Sequence, residues 1–122
     1  MVARFPRRRP DGTFVVEVTV EATTSTPEDL VARFGDWAQR WVYENAQWHW
    51  PSGRHLNYFD DFVGPPREIK FGRGRLSFRL DGKADAKWWK DWLAFRLLRE
   101  AQIAFPELGR LEGIVDRSEA SP

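Results

Sequence analysis

Between Thr13 and Ala22 polar and apolar residues alternate: Phe14, Val16, Val18 and Val20 fall on one side, and Glu17, Thr19 and Glu21 on the other. A period of two predicts a strand with one face buried and one face wet. The period then changes. Thr26 stands where a helix N-cap belongs, Pro27 fits the first helical position, and Glu28 and Asp29 favour the positive end of the helix dipole. From Leu30 onward Val31, Phe34, Trp37, Ala38, Trp41 and Val42 recur at three- and four-residue steps, with Arg33, Asp36, Gln39, Arg40 and Tyr43 opposite. This is one apolar stripe on a helix that frays near Asn45. Burying each large side chain in such a stripe contributes about 1.5–3 kcal/mol before entropy is subtracted, so Trp37 and Trp41 read as core.

The period of two returns after Pro66. In EIKF and RLSFRL, Ile69 and Phe71 share a side with Leu76, Phe78 and Leu80, and Gly72-Arg73-Gly74 between the runs predicts a hairpin turn. Asp81-Gly82 closes the strand. A second helix runs from about Ala84 to Phe105, where Pro106 stops it, and Gly109 precedes a last strand, RLEGIVD.

The expected class is α+β, a ferredoxin-like βαββαβ arrangement with a four-stranded antiparallel sheet and two helices on one face. A long aromatic insertion, 46–66, separates the first helix from the second strand. Residues 1–12 read as a basic arm, 13–117 as a single domain and 118–122 as a disordered tail. In the usual order for this topology the first strand lies beside the third, which sets Glu17 and Glu21 on one open face with Arg75 and Arg79. That face lacks aromatics on which to stack nucleic-acid bases, and Arg73-Gly74 is the only fragment suggestive of an RNA-recognition signature. With Glu112 it also disfavours two sheets packed around an apolar cavity, though charged groups can line a catalytic pocket.

The insertion, AQWHWPSGRHLNYFDDFVGPP, shows no sustained period. Connections of that length tend to be functional or to carry structure of their own. It holds Trp48, Trp50, Tyr58, Phe59 and Phe62, both histidines, His49 and His55, and the acids Asp60 and Asp61. The second helix adds Trp88, Trp89, Trp92, Leu93, Phe95, Leu97, Leu98, Ala101, Ile103 and Phe105, spread around most of its circumference. A helix apolar on most sides needs more cover than one sheet provides. The insertion, a second copy of the chain or another protein is expected to supply it. Trp48, Trp50, Tyr58, Phe59, Phe62, Trp88, Phe95 and Arg99 form the expected partner surface, since tryptophan, tyrosine and arginine dominate binding hot spots.

Composition narrows the field. Seven tryptophans and nine phenylalanines in 122 residues call for large contact areas, in a core or at an interface. Nineteen basic against eighteen acidic residues give a net charge of +1, which argues against a dedicated nucleic-acid surface unless the cations are segregated. One cluster is segregated, Arg7, Arg8 and Arg9 between Pro6 and Pro10, and it makes phosphate contact by the N-terminal arm a third reading. Cysteine is absent, which excludes disulfides and thiolate chemistry. Neither a membrane span nor a signal peptide is expected, and a cytoplasmic location follows.

His49 and His55 with Asp60 and Asp61 are the only clustered groups with metal-ligand or acid–base potential, and His49, His55, Tyr58 and Asp60 are the candidate catalytic residues. They support a second reading, a small enzyme or cofactor-binding protein with a pocket between the insertion and the sheet. Their spacing matches no metal motif, Gly72 and Gly74 fail the phosphate-loop pattern, and no cofactor is expected. The leading expectation is a non-enzymatic protein-interaction module, in an accessory, inhibitor-like or assembly role, binding a protein partner or itself through its aromatic surface.

Overall fold

The computed structural model describes residues 14–49, 55–83 and 89–116. The first alternating run forms strand β1, Phe14–Ala22, and the amphipathic run forms helix α1, Pro27–Glu44. Inside the expected insertion lie two three-residue strands, β2 (Gln47–His49) and β3 (His55–Asn57), and a single helical turn, α2 (Tyr58–Asp61). Elements this short do not repeat their period often enough to be recognised, which is why no pattern is legible there. Strands β4 (Arg67–Gly72) and β5 (Arg75–Gly82), helix α3 (Trp89–Ala104) and strand β6 (Leu108–Asp116) complete the chain.

The class is α+β. Four strands form an antiparallel sheet in the order β4-β5-β1-β6, so the first strand lies between the third and the last of the main sheet, and β4 and β6 form its edges. The small β2–β3 hairpin stands apart from it. Among the described residues no helix is long and apolar enough to cross a membrane.

Alternation sorts the two sheet faces. Val16, Val18 and Val20 of β1 and Leu76, Phe78 and Leu80 of β5 are buried beneath both long helices, which contribute Leu30, Phe34, Ala38, Trp41, Leu97, Leu98 and Ala101 to the same core. Phe34 sits at its centre, with ring centroids 5.3 Å from Phe78 and 5.8 Å from Phe105. Trp37 meets the Phe105 ring edge-on at 5.7 Å, and the Trp41 indole donates to the Glu100 carboxylate, which ties α1 to α3. Trp41 is thus a core residue, and Trp37, half-buried, packs against the core. Gly35 lets α1 lie close over β4, since a β-carbon there would come within 3.3 Å of Ile69 Cδ1.

The open face carries ion pairs. Arg79 reaches Glu17 at 3.4 Å and Glu68 at 2.9 Å, and Arg67 reaches Glu68 at 3.0 Å and Asp81 at 2.5 Å. Glu21, although directly opposite Arg75 in register, pairs with Arg110, and Arg75 pairs with Glu112. A register shift in β6 next to Val20 accounts for this exchange, because it adds Glu112 to the row that faces Arg75. Arg73 and Gly74, both at positive φ, form the two-residue β4–β5 turn, which needs left-handed backbone at both positions.

Two local expectations are corrected. Thr26 occupies the N-cap position of α1, but its hydroxyl makes no capping bond; instead its own N–H donates to Thr24 Oγ1 at 3.0 Å. The last two turns of α3 are not buried all round, as Ile103 is 80% exposed and Arg99 also faces out. The sheet and α1 cover only the side bearing Leu97, Leu98 and Ala101.

Candidate interaction site

The segment between α1 and β4 is built from its turn outward. Asn57 accepts a hydrogen bond from the Phe59 N–H at 3.0 Å through its side chain, which starts α2. The Tyr58 N–H donates to the Ala46 carbonyl at 2.6 Å and the Val63 N–H to the Asp81 carbonyl at 2.8 Å, while Phe62 bridges to Gly82. These bonds fix the turn between the end of α1 and the end of β5.

Within that turn neighbouring aromatics part company. Tyr58 and Phe62 are fully buried, their rings stacked at 4.8 Å. The Tyr58 hydroxyl donates to the Gly64 carbonyl at 2.9 Å. Burial, and secondarily the charge of Asp81, push the Tyr58 pKa well above the ordinary phenol value, so the hydroxyl stays protonated at neutral pH. It is a structural donor and a poor candidate for acid–base work. As partner contacts Tyr58 and Phe62 are also corrected: a partner would have to open the core to touch them.

Phe59 is half-buried: it packs against the core and meets the Tyr58 ring edge-on at 5.3 Å. Its ring lies 5.5 Å from that of Tyr43 in the last turn of α1, and Tyr43 is 62% exposed. The Lys83 ammonium donates to the Phe59 carbonyl at 2.6 Å and holds this side of the turn against the end of β5. A shallow groove along the outer side of α1, lined by Asp36, Gln39, Arg40, Tyr43 and Glu44, leads up to the pair. The spacing sets Tyr43 on the polar side of the helix. The signal that could have found it is the placement of a large aromatic ring among Asp36, Arg40 and Glu44, opposite the apolar stripe.

The other expected site residues fall as follows. The backbone register of the hairpin sets His49 directly opposite His55 and Trp48 opposite Leu56. Of the two other acid–base candidates, His55 belongs to β3 and Asp60 to α2. Phe95 belongs to α3. Arg99 is exposed on α3 and lines a second groove, with Leu98, Gln102, Arg110 and Leu111. Trp50, Trp88, Arg7, Arg8 and Arg9 lie outside the described residues. Among the described residues no group of three or more histidine and acidic side chains is arranged to hold a metal ion.

The site therefore offers an adjoining pair of rings on a fixed turn beside a groove of mixed charge, an arrangement suited to contact with another surface. Comparison with protein families, with curated proteins and with solved structures finds no match to this chain.

Proposed function

We infer that this protein is a non-enzymatic interaction module that associates with a protein partner, or with a second copy of itself, through the surface centred on Tyr43 and Phe59. The observation that carries this reading is the 5.5 Å ring pair between Phe59, on a turn anchored at both ends, and Tyr43, which the last turn of α1 leaves 62% exposed. Rigid aromatic area lost to solvent on association is inexpensive in side-chain entropy and is enriched where binding energy concentrates. The element sequence and the β4-β5-β1-β6 order further support a ferredoxin-like arrangement in which the 46–66 segment is the added part, set at one end of the sheet. Such a fold licenses no function by itself, so the reading rests on the site.

Size-exclusion chromatography with light scattering tests it. The expected result is an oligomer, or a stoichiometric complex with a protein retained from the native source, that Tyr43→Glu disperses. A wild-type chain that is monomeric at every concentration and retains no partner contradicts it.

A further inference from the structure

We propose a second, separate binding site at the outer edge of β6, where a groove between β6 and α3 takes a short extended acidic peptide with apolar side chains alternating with its carboxylates. Leu98 and Leu111 form its floor, Arg99, Gln102 and Arg110 its walls. Arg110 also reaches Glu21 on the open face of the sheet at 3.4 Å, so the groove opens round the free edge of the strand. An extended chain that lies along such an edge gains main-chain hydrogen bonds there and places alternate side chains into the neighbouring groove.

Charge selects the occupant. Among the described residues lining the groove the two ionisable groups are both arginines, and none is acidic. Glu21 partly offsets Arg110, whereas Arg99 makes no ion pair among the described residues. Ile103, one helical turn beyond Arg99, is 80% exposed on the same helix. A peptide with carboxylates for the arginines and an aliphatic side chain for Leu98 and Leu111 matches both features.

The edge also decides against a second copy of the sheet. Two register shifts interrupt β6, one on each side of Val20, and the Gln102 amide donates to the Gly109 carbonyl. Bulges and capped carbonyls prevent a long strand from zipping along the edge, while a short peptide needs only a few bonds beside its side-chain anchors. This site lies toward the Leu108 end of β6, which pairs with Ala22. Tyr43 and Phe59 lie toward the opposite end, where Phe14 pairs with Gly82. The two surfaces are therefore independent.

Fluorescence polarisation with a fluorescein-labelled peptide of alternating glutamate and valine, against one of alternating lysine and valine, tests the proposal. The glutamate peptide is expected to bind saturably, to weaken about tenfold with Arg99→Glu and less with Arg110→Gln, and to be unaffected by Tyr43→Glu. Amide shifts on titrating the peptide into the wild-type chain are expected at Gln102 and Gly109–Gly113, a readout independent of variant folding. No saturable binding, equal binding of the lysine peptide, or affinity unchanged in both arginine variants overturns it. So does self-association that Arg99→Glu abolishes in the absence of peptide binding, since the groove would then be a contact between copies.

Discussion

Tyr58 and Phe59 are adjacent in the chain, belong to the same helical turn and meet edge-on at 5.3 Å, yet Tyr58 is fully buried while Phe59 is half-buried and links the core to the exposed Tyr43 ring. The inner side of this turn, Tyr58 and Phe62, seals the end of the sheet where β5 finishes. On the outer side Phe59 packs partly against the same core and carries it out to Tyr43, which is 62% exposed. Aromatic abundance alone does not distinguish a core residue from a binding residue. What separates them is how far each ring is withdrawn from solvent, and one four-residue turn holds both the fully buried Tyr58 and the half-buried Phe59.

If the inner side is structural, its removal should be costly. Phe62→Ala is expected to destabilise the chain by about 3–5 kcal/mol, read from the urea midpoint, because it leaves a cavity beneath the Tyr58 ring. A loss below about 1 kcal/mol would show that the turn is not part of the core. Tyr58→Phe keeps the packing and leaves the Gly64 carbonyl without its donor, for an expected loss of about 1–2 kcal/mol.

The open face of the sheet gives the comparison a control, since it too is well ordered but largely hydrated. Its Arg79–Glu17 pair, at 3.4 Å and partly exposed, should be worth about 0.2–1 kcal/mol in a double-mutant cycle with alanine and should weaken in salt. A coupling as large as the Phe62 effect would mean that the ion pairs, and not the apolar turn, hold the fold.

Glu107 gives the smallest effect. A hydrogen bond from Arg33, at 2.5 Å, holds its carboxyl below the usual glutamate range. A lowered folded pKa contributes stability that is complete above the unfolded value and is lost as pH falls through the folded one. Between about pH 5 and pH 3, Glu107→Gln should therefore lose slightly less melting temperature than the wild type, by about 1–3 °C. A difference of the opposite sign would contradict the assignment.

Much of this architecture was legible in the sequence because long elements repeat their pattern. The β1 alternation and the α1 stripe each span enough residues to declare a period, which sets Trp37 and Trp41 on the apolar side of α1, and the β4–β5 turn is marked by its flanking glycines, Gly72 and Gly74. The 46–66 segment was not legible for the same reason reversed. Its strands span three residues each, and their register, which sets His49 opposite His55, depends on a hairpin that no local pattern announces. The exchange of partners between Glu21 and Arg75 rests on a bulge, and bulges leave little trace in composition. Arg99 was singled out from its setting among aromatics; its groove partners Arg110 and Leu111 come from a distant strand and had no sequence signal.

The account stands on the separation of stability from association in one residue, Tyr43. Sedimentation equilibrium and a urea melt on the same Tyr43→Glu preparation test this most directly. The account predicts that the variant keeps its urea midpoint close to the wild type and loses the association that the wild type shows. A variant that unfolds more readily while associating as before would place Tyr43 with Tyr58 and Phe62, as a structural residue, and leave the outer side of the turn without a role.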